Sequence, residues 1–271
     1  MEKISVVQTK FQDAGKLRVR YKVAGDGVPL ILLHGGTSDG GMFADILPYL
    51  AESFLTIAYD QRGCGGTTCE DSSDYSLEDL ADDAAAFIEA LGYEKAHILG
   101  HSAGGLVAQL LAVRSPRRVD KLILQSTAPI TAFKKTLNDG AIQNYNKKRA
   151  EGGVHAAAEL FTTPDYIAEH PEFVDKLIEL QKSVAPEAMA QRLKALQTFD
   201  IDNVDLSRIT METLVIYAEC DQLVERASVE QMANEVLPHA RLEIFRGAGH
   251  AGVLQYPEGY AQLATSFLKG R

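Results

Sequence analysis

Short apolar runs recur along the chain, each closed by glycine, proline or polar residues, and between them lie stretches whose apolar positions repeat every three or four residues. The runs occupy 28–33 (VPLILL), 54–59 (FLTIAY), 96–99 (AHIL), 119–124 (VDKLIL), 213–217 (TLVIY) and 241–245 (RLEIF). A continuous run such as Leu30-Ile31-Leu32-Leu33 is the pattern of a strand buried on both faces. Residues 3–8 (KISVVQ) and 16–23 (KLRVRYKV) flank Asp13-Ala14-Gly15 and predict an antiparallel hairpin. Helices are predicted in the intervening text. One opens with Ser76 as N-cap and acidic residues in its first turn; its stripe is Leu80, Ala84, Phe87, Ile88 and Leu91, and Gly92 stops it. Others are read at 106–113, 229–236 and 260–268.

Strand and helix therefore alternate, which predicts an α/β fold with a mostly parallel sheet covered on both faces. The alternation breaks once. From 127 to 209 no apolar strand run occurs, only Ala-, Glu-, Lys- and Leu-rich helical text interrupted by Pro164, Pro171 and Pro186. This predicts one core, 1–126 with 210–271, carrying a helical insertion over 127–209.

A chain of 271 residues that is 46% hydrophobic is long enough to bury a sizeable core. Its formal charge of −10 opposes binding to phosphate backbones and to anionic membranes, so neither nucleic acid nor a membrane is expected as a partner. Cys64, Cys69 and Cys220 have neither disulfide-framework nor metal-ligand spacing. Cys64 and Cys220 are read as small packing residues. The first sixteen residues lack the apolar segment of a signal peptide, and no apolar run approaches membrane-spanning length. A soluble, cytoplasmic protein is expected; oligomeric state is not readable.

Chemistry enters at the end of the third parallel run. There Gly100-His101-Ser102-Ala103-Gly104 is G-x-S-x-G between a strand and a helix. Glycines two before and two after the serine permit a very tight turn, which leaves Ser102 strained with its hydroxyl exposed. The following helix aims its first amides at an oxyanion. A serine nucleophile needs a base. Of the seven histidines, His34 opens a glycine turn, His97 lies in a strand, and His155, His170 and His239 fall in the insertion or in polar connections. His101 is read as facing away from Ser102. His250, in Gly247-Ala248-Gly249-His250 just past the last strand, remains as the base.

The orienting acid is expected on a strand end between nucleophile and base. The run VDKLIL ends in Gln125-Ser126-Thr127, whereas TLVIY ends in Ala218-Glu219-Cys220-Asp221. The choice lies between Glu219 and Asp221, and Asp221 is favoured because Glu219 still belongs to the strand end. His34-Gly35-Gly36-Thr37 follows the first parallel strand, so the amides of Gly36 and Ala103 are the expected oxyanion donors.

Taken together, Leu-His-Gly-Gly, the Tyr59–Gly65 segment YDQRGCG, Gly-His-Ser-Ala-Gly-Gly, Ala-Glu-Cys-Asp and Gly-Ala-Gly-His resemble the α/β-hydrolase superfamily over nearly the whole chain. The resemblance implies that 127–209 is a helical cap, that no cofactor or metal is needed, and that the substrate is a small molecule. The segment from Asp60 to Gly65 is similar to that of proline iminopeptidases, where it shapes a loop; this chain has HGGT where they carry HGGPG. The elbow and small cap also resemble carboxylesterases, enol-lactone hydrolases and C–C hydrolases. A serine hydrolase of small esters or lactones is therefore expected. Amide or C–C bond hydrolysis and a ligand-binding receptor on the same scaffold are the alternatives. Phe133, Phe161, Tyr166 and Phe199 in the insertion suggest a substrate with an apolar portion.

Overall fold

The computed structural model of the chain describes residues 6–70, 74–132 and 141–271. Its strands are β1 (Gln8–Ala14), β2 (Leu17–Ala24), β3 (Pro29–Leu33), β4 (Leu55–Tyr59), β5 (Thr68–Cys69), β6 (Ala96–His101), β7 (Val119–Gln125), β8 (Thr213–Ala218) and β9 (Arg241–Phe245). They form one sheet in the order β1-β2-β4-β3-β6-β7-β8-β9, with the short β5 also on β2. The hairpin β1–β2 and the β2–β4 and β2–β5 pairs are antiparallel. From β4 through β9 every pair is parallel.

The apolar runs explain this sheet. All residues of β3, β6 and β8 are buried, as expected of strands covered on both faces. Successive residues serve opposite cores, because strand side chains alternate. Ile31, Ile57, Ile98, Leu122, Leu124 and Val215 join one core, with the stripes of α2 (Leu77–Ala90) and α3 (Ala103–Arg114). Leu30, Leu32, Leu99, Ile123, Leu214 and Ile216 join the other, with α1 (Leu47–Ala51) and the last helix (Pro257–Leu268). Helix α2 begins at a capping box in which Ser76 Oγ accepts from the Asp79 amide and the Asp79 carboxylate accepts from the Ser76 amide. Such a cap stabilises a helix by about 1 kcal/mol.

The hairpin is displaced from its expected place. Its first strand begins at Gln8 rather than spanning 3–8, and residues 3–5 lie outside the described ones. β1 is exposed along most of its length, so it carries no alternating stripe from which its bounds could be read. Helix α3 starts at Ala103, directly on the Ser102 turn, instead of at Leu106. The helix expected at 229–236 begins earlier, as α8 (Arg226–Gln231), and widens into a π-helical turn over Met232–Val236.

Between β7 and β8 the described residues fold as α4 (Ala141–Ala158), α5 (Pro164–Glu169), α6 (Glu172–Lys182) and α7 (Pro186–Thr198). Pro164 and Pro186 stand at helix starts, where a missing N–H costs nothing. This stretch touches the rest of the chain at, among other places, the Cys64–Val184 bridge and the Gly65 amide, which donates to Ser183 O at 3.1 Å. Among the described residues no helix is long and apolar enough to cross a membrane.

Candidate active site

The parallel register brings the carboxyl ends of β3, β6, β7, β8 and β9 side by side, and each of the expected site residues lies just past a strand end at that edge, Ala103 as the first residue of α3. Ser102 follows β6 as the N-cap of α3, at φ 53° and ψ −122°. Close packing forces the turn. A Cβ on Gly104 would stand 2.2 Å from Leu33 O, and one on Gly100 would stand 2.6 Å from Gly104 O. The Ser102 amide donates to Gln125 O at 3.0 Å, and the Gly105 amide donates to Ser102 O at 2.8 Å. The strained backbone is thus held from both sides.

The Ser102 hydroxyl lies 2.9 Å from His250 Nε2. On the far side of the ring, Nδ1 is 3.0 Å from Asp221 Oδ1 and 2.9 Å from Oδ2. With the proton on Nδ1, the imidazole donates to the carboxylate and accepts from the hydroxyl. Asp221 is thus the carboxylate that His250 meets. Glu219 is instead turned to the outside, where it accepts from the Gly247 amide at 3.0 Å.

Burial pushes the Asp221 carboxyl up, but the His250 charge, its hydrogen bond and the amides of Leu223 and Val224 outweigh this and hold it below the usual range. Those amides donate to Oδ1 at 2.9 and 3.0 Å. The carboxylate therefore stays ionised although its side chain is fully buried.

Three contacts fix the loop carrying His250. The Gly249 amide donates to Gln255 Oε1 at 2.8 Å, the Ala251 amide donates to Phe161 O at 2.9 Å, and His101 Nε2 is 2.9 Å from His250 O. His101 thus turns to the backbone of His250. Burial, reinforced by the neighbouring His250, lowers its pKa to about 3. Its ring is neutral and donates from Nε2.

At the end of β3, the Gly35 amide is engaged by Met42 Sδ at 3.3 Å. Gly36 faces the start of α3: a Cβ there would stand 3.5 Å from Ala103 Cβ. As the first helical residue, Ala103 has an amide with no acceptor inside the helix. Gly36, Ala103, Ser102 and His250 all line one cavity of ≈ 230 Å³, whose walls also include Met42, Ala128, Leu177, Leu180, Leu196 and Leu254. Of the four aromatic residues expected to shape it, Phe161 lines the cavity and Tyr166 and Phe199 do not. Tyr166 reaches Gln255 O through its hydroxyl, and Phe199 packs in the core. Phe133 lies outside the described residues. Asp60 is structural, accepting from the Gly40 and Gly66 amides and pairing with Arg20. Among the described residues no cluster of three or more metal-ligating side chains occurs.

A family model described as alpha/beta hydrolase fold matches residues 28–257. The chain belongs to this family. It is a hydrolase, and its relatives share it nearly end to end. The RutD protein of Caulobacter sp. strain K31, which carries the name of a carbamate hydrolase, is 30% identical over 91% of this chain and 92% of its own. A pimeloyl-[acyl-carrier protein] methyl ester esterase of Aeromonas hydrophila is 27% identical over 90% of this chain and 96% of its own. Among solved structures, the enol-lactonase of Burkholderia xenovorans LB400 superposes with a TM-score of 0.79 at 21% identity, covering 96% of this chain and 100% of its own. The esterase of Exiguobacterium antarcticum superposes at 0.81 and 24% identity, covering 97% and 100%. These likenesses carry the α/β-hydrolase fold.

Two features of the hydrolase site escaped sequence reading. One is the grip of His101 on the His250 backbone. The other is a buried arginine, Arg192, which stands three and four positions before the buried Ala195 and Leu196 of α7. A charged residue inside an apolar stripe was the signal.

Proposed function

We propose that this hydrolase cleaves a neutral carboxylic ester or lactone through an acyl-Ser102 intermediate. The observation that carries the reading is the unbroken chain from Ser102 Oγ through His250 to the buried Asp221 carboxylate, with every link at 2.9–3.0 Å. His250 Nε2 takes the hydroxyl proton as Oγ attacks the carbonyl carbon, and Asp221 stabilises the imidazolium so formed. The Gly36 and Ala103 amides receive the oxyanion. His250 then returns the proton to the leaving alkoxide. A water deprotonated by the same nitrogen attacks the acyl carbon, the acid is released, and Ser102 regains its hydrogen.

The cavity supports the neutral, apolar substrate. Among the described residues no lysine, arginine, aspartate or glutamate lines it, so a charged group entering it would lose hydration without a counter-ion from them. Residues 127–209 are proposed as a cap, since Phe161, Leu177, Leu180 and Leu196 of that stretch form part of the wall. Free thiols at Cys64, Cys69 and Cys220 fit a reducing, cytoplasmic setting.

Labelling with a fluorophosphonate followed by peptide mass spectrometry tests the mechanism, and p-nitrophenyl esters, lactones, carbamates and aminoacyl anilides test the bond. An adduct on Ser102 with turnover of esters or lactones is expected. Absence of the adduct sinks the nucleophile assignment, and turnover of anilides alone sinks the ester assignment.

A further inference from the structure

Arg192 is a buried cation that the acyl-transfer steps leave unused. It projects from α7 of the insertion into the core, and it forms no ion pair with a carboxylate among the described residues. Taking a guanidinium out of water is costly unless its N–H groups find acceptors. Its Nη2 donates to Gln61 Oε1 at 3.0 Å, and its Nη1 lies 3.5 Å from both Cys64 Sγ and Gly35 O. Nε has no partner.

The Gly35 carbonyl is the centre of this cluster. His34 Nδ1 lies 2.8 Å from the same oxygen. The Gln61 amide donates to His34 Nε2 at 3.0 Å, which places the imidazole proton on Nδ1. Burial, with the nearby Arg192 charge, lowers the His34 pKa to about 3, so the ring stays neutral in that tautomer. Gln61 Nε2 closes the network by donating to His34 O at 2.8 Å. Two N–H groups therefore converge on Gly35 O.

The bond from Gly35 to Gly36 is trans. In a trans peptide the C=O and N–H point in opposite directions, so whatever fixes the Gly35 carbonyl also fixes the Gly36 amide. A donor on that carbonyl further polarises the N–H across the same peptide unit. The amide of Gly35 itself is occupied by Met42 Sδ.

We infer that Arg192 is a positioning residue: with His34 it holds the Gly35 carbonyl and thereby aims the Gly36 N–H at the oxyanion. The inference rests on the proposed acyl-Ser102 chemistry. It makes the seating of α7 on the core a condition for full stabilisation of the tetrahedral intermediate, so the helix that helps wall the cavity also sets the strength of the oxyanion donor.

The test uses the full chain with Arg192→Met, Arg192→Lys and Gln61→Met, p-nitrophenyl butyrate, its thiono analogue, and thermal unfolding. Arg192→Met is expected to lower kcat on the oxo ester roughly ten- to hundredfold, with little change in KM. It should also narrow the preference for oxo over thiono ester, because sulfur is a poor acceptor and draws less from amide donors. Arg192→Lys keeps the charge as a single point donor and recovers part of kcat. Gln61→Met falls between, and these two carry the test where Arg192→Met does not fold. Unchanged kcat in folded variants, equal losses on both esters, or a rise in KM alone overturns the inference. Fluorophosphonate separates the levels: an unlabelled wild-type Ser102 defeats the proposed acyl-Ser102 chemistry, whereas a labelled wild type with unaffected variants defeats only the role of Arg192.

Discussion

His101 Nε2 stands 2.9 Å from the carbonyl oxygen of His250, and the two rings meet edge to face at 5.1 Å. The residue immediately before Ser102 therefore grips the backbone of the histidine that the Ser102 hydroxyl touches. Replacing His101 by Ala removes that grip without removing any group in the hydroxyl–imidazole–carboxylate chain. Loss of kcat by roughly ten- to hundredfold is expected, since small misplacements of a base are costly. Steady-state kinetics on p-nitrophenyl butyrate checks it, and retention of wild-type kcat would make His101 a filler.

Asp221 and Glu219 are two positions apart, yet one meets His250 and the other the Gly247 amide. Asp221→Asn should lower kcat by about 10⁴-fold, because the amide favours the wrong imidazole tautomer. Glu219→Gln should stay within about twofold of wild type, as expected for an exposed residue outside the site. The reverse order in a side-by-side assay would reassign the acid.

Acid sensitivity follows from His34 and His101, both lowered to about 3 by burial. Below the ordinary histidine range the unfolded chain binds these protons and the folded protein does not. Stability is therefore expected to fall as pH drops from about 6.5 towards 3, by up to about 1.4 kcal/mol per pH unit for each histidine. Urea unfolding at a series of pH values measures the slope. His101→Gln should make it shallower; an unaltered slope would remove His101 from the account.

Gly104 and Gly15 make a matched pair for stability. At Gly104 a methyl would meet Leu33 O at 2.2 Å and His34 O at 2.5 Å, while at Gly15, with φ +58°, nothing lies within 4 Å. Gly15→Ala should cost about 1 kcal/mol, the strain of a left-handed alanine. Gly104→Ala should cost several times more and leave Ser102 unlabelled, because α3 can no longer lie against the end of β3. Thermal melting with fluorophosphonate labelling compares them.

Much of this site was legible because the apolar runs mark strands whose ends must converge. Leu30–Leu33 and the GHSAGG turn announce a buried strand and the proposed nucleophile at the sheet's edge. The short elements were not legible: Thr68–Cys69 is two residues long, and Leu47–Ala51 and Gly252–Gln255 are single turns without a period to count. The roles of His101 and Arg192 depend on contacts at separations of 149 and 157 residues. No local pattern encodes which distant carbonyl a buried side chain will find.

Specificity should respond to the apolar wall. Ala128 lines the cavity, and Ala128→Phe fills part of it. Activity on hexanoate and longer p-nitrophenyl esters is expected to fall more than activity on acetate. Equal losses across the series would place the acyl chain elsewhere.

The Ser102 hydroxyl and the His250 ring meet across 148 residues of sequence. Between them β7, β8 and β9 must each pair in register, across an insertion whose described residues form four helices. Such non-local pairing is the slow part of assembling a chain. Reactivity of Ser102 toward a fluorophosphonate is thus a clock for refolding: the label should be taken up only when the far edge of the sheet has closed, later than the recovery of helical signal.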